Sequence, residues 1–331
     1  MKSETREDVE PREPGDIDSK WSRRGFVVGS ASAIAAGSAI GVMAANSETA
    51  AQESPTMTQD TSARWNTPPG DLYNEQPGYG DEDVTGWAGR LVYGPTVGIL
   101  QLPANIPMLP GDMGNPTTFD FPVLYELIPD IDPFWVLAAE PHPVVMEKTI
   151  AACKRLTMQG VRTIIGNCGF FANYQPEVSK SLDTGVQFFN GSLMQVPMLL
   201  TSVGSDKKVG VLTANAELLI PSPALKNCGV VPEDMDRVVI YGNEKGVEMN
   251  RITGETGSFN PKTFEKELVD LATTMIDEHP DIGAVVLECT EFPPYAHAIQ
   301  KAIRRSVWDF VTMTNFMHAG AMRKPYTGWM L

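Results

Sequence analysis

Cysteine and histidine are scarce in this chain of 331 residues, four of each, and neither type clusters. Cys153, Cys168, Cys228 and Cys289 form no CxxC or CxxxxC pair, and His142, His279, His297 and His318 give no HExxH. These absences exclude a zinc ribbon, a zinc-protease helix and a disulfide-dense scaffold, and no metal is expected. Phosphate cradles are missing too. There is no P-loop, and no GxGxxG follows a strand-like run, so no nucleotide cofactor is expected. Basic side chains are outnumbered, 26 Lys and Arg against 41 Asp and Glu, for a net charge of −15. A partner held through a phosphate backbone needs the opposite sign, which excludes nucleic acid. What is present is 42% apolar residues with 29 Gly and 26 Pro, the composition of a soluble globular protein with one large domain or two modest ones.

The first fifty residues read as an address. Met1 to Lys20 are polar and carry both signs of charge. Ser22-Arg23-Arg24-Gly25-Phe26-Val27 then resembles a twin-arginine export motif, followed by a charge-free Ala/Gly/Ser-rich run from Val27 to Ala45. That run is at the lower length limit for spanning a bilayer and only weakly hydrophobic, which suits a signal better than an anchor. The expectation is a twin-arginine signal segment over residues 1–51, recognised by the Tat export machinery. The protein is then periplasmic or extracellular and meets the membrane only during export; a retained signal would tether it there. Residues 52–87, rich in Thr, Pro, Gly and acids, read as a linker or arm. Past residue 51 the chain keeps 33 acidic and 20 basic residues, so the acidity belongs to the folded part.

Four short apolar runs rich in β-branched residues read as buried parallel strands: Thr96–Leu100, Val161–Ile165, Val209–Leu212 and Gly283–Leu287. The first and third share a phrase, Val97-Gly98-Ile99-Leu100-Gln101 against Val209-Gly210-Val211-Leu212-Thr213, 112 positions apart. The second and fourth each follow an amphipathic helix and end at a cysteine, Cys168 and Cys289, 121 positions apart. The helices are expected over Val144–Gln159 and Lys262–Glu278, with Pro143 and Pro261 at their starts, where proline is favoured. Strands alternating with helices of this length predict an α/β fold with parallel sheets. Two copies predict two pseudo-symmetric Rossmann-like lobes with the active site in the cleft between them. The lobes are expected over residues 88–195 plus 300–331 and over 196–299, a layout compatible with a homo-oligomer.

Ligands of open α/β sheets bind beyond the carboxyl ends of strands. Cys168 and Cys289 both stand at such an end, so in facing lobes they meet across one cleft. Two thiols on opposite sides of a carbon can take a proton from one face and return one to the other. A free thiol has a pKa of about 8.5, and helix N-termini or neighbouring charges move it. The chemistry suggested is proton abstraction beside a carboxylate. It ends either in reprotonation, which is racemisation, or in loss of a β leaving group, which is elimination. Cys153 and Cys228 read as packing residues. Other readings stay open. Cys168 and Cys289 can form a disulfide in an exported protein. Gly166-Asn167-Cys168-Gly169 faintly resembles a nucleophile elbow, which would make a cysteine hydrolase with His297 or His318 as base. An exported solute-binding protein also has two α/β lobes and needs neither thiol.

From about Tyr93 to Asp309 these residues resemble the aspartate/glutamate/hydantoin racemase superfamily, whose members have two such lobes, one catalytic Cys from each, and no cofactor. The resemblance implies that Cys168 and Cys289 are the acid/base thiols. It also implies that Thr290 and Glu291 belong to the Cys-Thr-Glu form of the second motif, and that Thr213 is a polar substrate-binding residue. Amino-acid racemases of the family usually carry Cys-Asn-Thr at the first thiol, whereas here Gly169, Phe170 and Phe171 follow Cys168. The phrases Ser192-Leu-Met-Gln-Val-Pro197, Leu212-Thr-Ala-Asn215 and Leu287-Glu-Cys-Thr-Glu-Phe-Pro-Pro-Tyr295, with the Pro103–Pro122 loop, resemble the branch that contains the algal-type dimethylsulfoniopropionate (DMSP) lyases. That branch implies β-elimination from a small carboxylate substrate, with amino-acid racemisation or epimerisation of the aspartate/glutamate type as the alternative. Gly169, Phe170, Asn215 and Tyr295 join Thr213, Thr290 and Glu291 as candidate substrate-binding residues. Phe170, Phe171, Tyr174, Phe292 and Tyr295 either offer their faces to a sulfonium cation, at ~0.5–2 kcal/mol each, or fill the core. Glu291 can orient Cys289, and Asp112, His142 and His297 are secondary candidates for substrate contact.

Overall fold

In the computed structural model, residue 92 and residues 94–254 and 256–323 are described, all within the unit Thr58–Leu331. The expected signal over 1–51 and the linker over 52–87 lie outside the described residues. The chain forms two four-stranded sheets in which every pairing is parallel. The first contains β1 (Val97–Gln101), β2 (Val123–Leu127), β3 (Thr163–Gly166) and β4 (Gln187–Phe189) in the order β2-β1-β3-β4. The second repeats it with β5 (Lys208–Thr213), β6 (Val238–Gly242), β7 (Ile282–Leu287) and β8 (Ser306–Trp308) in the order β6-β5-β7-β8. The four strands expected from sequence are the central pair of each sheet. Even the register repeats: Val97 lies opposite Thr163, and Val209 lies opposite Ala284. This is the two-lobed α/β architecture that the duplicated phrases predict.

The two long helices explain the shared glycine of those phrases. Helix α1 (Pro143–Met158) and helix α2 (Pro261–Glu278) both open on proline, and the Asn260 side chain caps α2 by accepting the N–H groups of Lys262 and Thr263. Val145, Thr149, Ala152 and Leu156 form the buried stripe of α1, as Phe264, Leu268, Ala272 and Met275 do in α2. Spacing of three to four residues keeps each stripe on one helical face, toward its sheet. A Cβ on Gly98 would meet Leu156 and Val161, and one on Gly210 would meet Met275. Glycine at that strand position therefore lets the helix lie close against the sheet.

The outer strands gave weaker sequence signals. β2 is only half-buried, and β4 and β8 have three residues each. An edge strand is paired on one side only, so a continuous apolar run is not required of it. The boundary expected at residue 300 also falls elsewhere. Ser306–Trp308 pair with β7 in the second sheet, because β7 has an open edge beside it. The helix that follows, α3 (Phe310–Ala321), crosses back. Its residues Phe310, Met313 and Met317 pack on Val97, Ile99 and Ile165 of the first sheet. Asp309 makes that turn by accepting the Thr312 N–H at 2.8 Å.

Buried hydrogen bonds join the lobes. Ser192 Oγ donates to the Leu287 carbonyl at 2.7 Å, at the very end of β7, and Gln195 Nε2 donates to the Asp309 carbonyl at 2.9 Å. These contacts are the structural content of the Ser192–Pro197 phrase. Ser192 is fully buried. Replacing Ser192 by Ala leaves the Leu287 carbonyl without that donor and should cost about 1–3 kcal/mol of unfolding free energy. A urea-denaturation midpoint equal to that of the wild type would refute this role.

Candidate active site

Every wall of one cleft comes from the carboxyl ends of strands. Leu102, Ala104, Ile106 and Met108 follow β1; Pro133, Phe134 and Leu137 follow β2; Asn167, Cys168 and Phe170 follow β3. From the second lobe come Ala214 after β5, Met249, Ile252 and Thr253 after β6, and Glu288 to Glu291 after β7. The cleft encloses about 640 Å³ with its open mouth included. In each sheet the central strands form the point where connections diverge to the two sides, and a crevice opens there.

The two cysteines begin the same turn. The Cys168 carbonyl accepts the Phe171 N–H at 3.1 Å, and the Cys289 carbonyl accepts the Phe292 N–H at 3.2 Å. The residue before each cysteine extends its strand: the Asn167 N–H donates to the Leu100 carbonyl, and the Glu288 N–H donates to the Leu212 carbonyl. Each of those residues also latches the neighbouring strand end with its side chain. Asn167 Oδ1 accepts the Leu102 N–H at 3.1 Å, and Glu288 Oε2 accepts the Ala214 N–H at 3.4 Å. Thr213 adds a hydroxyl donor to Glu288 Oε2 at 2.6 Å.

All four cysteines are free thiols. Cys289 is buried, and its Sγ donates to Glu291 Oε2 at 2.7 Å. Cys168 lies deep, though the cleft leaves it partly accessible. Burial holds both thiols well above their ordinary range. The negative charge of Glu291 and Glu288 adds to this for Cys289, and that of Glu288 and Glu291 for Cys168. Burial also raises Glu291, against the hydrogen bond from Cys289. Burial pushes Glu288 up to about 7, opposed by the donors Thr213 and Ala214 N–H and assisted by Glu291. Asp112 is buried in the loop after β1 and held up by burial and by Glu291. Among the described residues, no Lys or Arg lines the cleft. Nor does any group of three His, Cys, Asp or Glu have the arrangement to hold a metal ion.

Of the residues singled out in the sequence, Cys168, Phe170, Cys289, Thr290 and Glu291 line the cleft together. The Thr290 hydroxyl is buried with no partner. Gly169 sits behind Cys168, where Glu288 Oε1 fills the space that a Cβ would take. Thr213 is turned toward Glu288, and Asn215 caps a short helix by accepting the Leu218 N–H. Tyr295 packs edge-on against Phe264 in the second core. Phe171, Tyr174 and Phe292 are likewise fully buried core residues, so Phe170 and Phe134 are the aromatic rings of the cleft. His297 is exposed, His318 stacks on Phe121 and His142 stacks on Trp135, and none of them lines the cleft. Cys153 is buried in the core, and Cys228 is bonded to Asn190; burial pushes each up to about 12. Glu288 was missed as a site residue in the sequence, although it lies within a phrase already singled out. Its one sequence signal is an acidic residue closing an apolar strand just before a cysteine.

The fold and the paired strand-end thiols define a two-lobed α/β protein with a thiol-lined cleft between its parallel sheets. No protein-family model matches the chain. Over 240 residues, 71% of its length, the chain is 33% identical to dimethylsulfoniopropionate lyase 6 and 31% identical to dimethylsulfoniopropionate lyase 7, both of Emiliania huxleyi. The chain belongs to the family of these dimethylsulfoniopropionate lyases. It spans 62% of the length of lyase 6 and 69% of that of lyase 7. Among solved structures, arylmalonate decarboxylase is similar at a TM-score of 0.44 and 14% identity, over 69% of this chain and 92% of that one.

The raised Glu288 carboxyl makes stability depend on pH. In the unfolded chain a Glu titrates near 4.5, and in the fold this one titrates near 7. The folded state therefore binds its proton more tightly. That contribution is fully present below pH 4.5 and is lost as pH rises through 7. Glu288→Gln carries no such dependence. Between pH 4.5 and 8 the wild type should lose about 1–3 kcal/mol relative to Glu288→Gln. Parallel denaturation curves for the two proteins across that range would show the carboxyl is not buried as described.

Proposed function

We propose that the chain is a cofactor-independent lyase that removes the proton beside a carboxylate and expels dimethyl sulfide from DMSP. One observation carries the reading: two free thiols on matching strand ends share one cleft, and one of them donates to a buried carboxylate at 2.7 Å. Family membership supports the substrate. In the proposed reaction Cys289 gives its proton to Glu291 and becomes a thiolate. The thiolate takes the proton from the carbon next to the substrate carboxylate. The electron pair left on that carbon forms the C=C bond of acrylate as the Cβ–S bond breaks, and dimethyl sulfide leaves with that bond pair. The abstracted proton passes by way of Cys289 to solvent.

The lining suits a zwitterion with a bulky cationic end. Among the described residues Glu288 and Glu291 meet no Lys or Arg in the cleft, so a permanently charged sulfonium is attracted there. Phe134, Phe170, Met108 and Met249 give it apolar and π surface. The partnerless Thr290 hydroxyl is the donor we assign to the substrate carboxylate. The matched positions of Cys168 and Cys289 also favour a second reading, in which the same thiols racemise or epimerise an amino acid from its two faces. Export by the twin-arginine route, inferred from Arg23 and Arg24, would place either activity outside the cytoplasmic membrane.

Proton NMR in heavy water separates the readings, with the protein incubated with DMSP and with each enantiomer of aspartate and glutamate. Acrylate and dimethyl sulfide from DMSP are expected. Deuterium at Cα with loss of optical activity, and no acrylate, would replace the lyase with a racemase. Cys289→Ser with full activity would sink the thiol-base mechanism. Glu291→Gln should lower kcat by about 100-fold or more while changing KM less, as expected for loss of a proton acceptor.

A further inference from the structure

We propose that Glu288 is the positioning residue that holds Cys168 in its thiol form, so that Cys289 alone works as the base of the cleft. The duplication is kept at some positions around the thiols and broken at others. Asn167 and Glu288 occupy the same place in the two copies, 121 positions apart, and each latches the N–H after its neighbouring strand. Asn167 shows that a neutral amide is sufficient for the latch. The ionisable group at Glu288 is therefore surplus to that structural task.

The surplus charge is aimed across the cleft. Glu288 Oε2 is held by Thr213 and Ala214, while Oε1 lies against Gly169, the residue joined to Cys168 in the opposite lobe. Gly169 corresponds to Thr290 in the second copy, and only glycine leaves room for the carboxyl. Phe170 correspondingly takes the place of Glu291. Cys289 thus has a carboxylate in its own turn to receive its proton, and Cys168 has none. The charge facing Cys168 comes from Glu288 and, to a lesser degree, Glu291 across the cleft, with Tyr174 on its own side. Glu288 in turn faces Thr213, Glu291 and the thiols of Cys168, Cys228 and Cys289. A negative charge beside a thiol opposes a second one on its sulfur, so the proton stays on Cys168.

The inference rests on the proposed role of Cys289 as the base, but its test needs no substrate. The full chain is treated with iodoacetamide from pH 6 to 10, and labelling of each cysteine is followed by peptide mass spectrometry. In Glu288→Gln, Cys168 should label about tenfold faster at pH 8, its profile moved about one unit toward lower pH, because the thiolate is the reacting form. Glu291→Gln should move the Cys168 profile less. A Cys168 profile unchanged in Glu288→Gln, or moved as far by Glu291→Gln, overturns the proposal. Cys153, buried in the core, reports unfolding by its own labelling. Should Glu288→Gln label Cys153, Thr213→Val takes its place. It removes the donor that keeps Glu288 ionised, so Cys168 should again react faster, and an unchanged rate again overturns the proposal. If the labelling shifts as expected while DMSP yields no dimethyl sulfide, the substrate is wrong and the role of Glu288 stands.

Discussion

The cleft is governed by carboxyls and thiols buried together, with no Lys or Arg among the described residues of its wall to neutralise them. A buried charge costs several kcal/mol unless it is paired or hydrogen-bonded, which pushes a poorly paired group toward its neutral form. Glu288, Glu291, Cys168 and Cys289 all obey this rule by titrating high. The protein does not relieve the strain with an Arg or Lys in the wall of the cleft. It offers the Thr213 hydroxyl, the Ala214 N–H and the Cys289 thiol as donors, and it leaves the rest of the demand for positive charge open. Under the proposed elimination, the substrate itself brings the missing cation.

The scaffold that enforces this burial is a repeated one. Parallel pairing brings β1 and β3, and likewise β5 and β7, to matching ends, and the Ser192 hydroxyl pins the end of β7 against the first lobe. Both cysteines then start identical turns. Such a site would be chemically symmetric if the three residues around each thiol were the same. They differ at each position: Asn167 against Glu288, Gly169 against Thr290, Phe170 against Glu291. Symmetry of the backbone sets where the thiols stand, and under the proposed roles the side chains decide which of them loses a proton.

Most of the backbone symmetry was legible in the sequence. The four central strands, both long helices and the two strand-end cysteines follow from apolar runs, proline starts and a repeated phrase, because buried parallel strands must be continuously apolar. The edge strands were not legible, since a three-residue strand such as Ser306–Trp308 is specified by its neighbour β7 more than by its own residues. Within the site, Glu291 was readable from its motif, but the aromatic residues were not. Phe171, Tyr174 and Phe292 lie near the thiols in sequence, yet the turns after the cysteines carry their rings into the two cores. Glu288 was hidden for a different reason. Its importance lies in a contact with Gly169, 119 positions earlier, and a missing side chain at Gly169 is the other half of that contact.

The broken symmetry also bears on the choice between elimination and racemisation. A racemase must run in both directions, so each thiol has to serve in turn as thiolate base and as thiol acid, and the two need similar proton affinities. In this cleft the acceptor of a thiol proton, Glu291, hydrogen-bonds to Cys289 alone, and the residue at its place beside Cys168 is Phe170. An elimination asks less of the second thiol. One base removes the proton, the leaving group departs as a neutral sulfide, and no proton has to return to the opposite face of carbon. Under the proposed roles, a site with one assisted thiol and one restrained thiol meets that demand. Under the same roles it would be a poor racemase, because the return proton would have to leave a sulfur held in its thiol form by Glu288. The proposed chemistry is one-sided, built on a backbone that is two-sided.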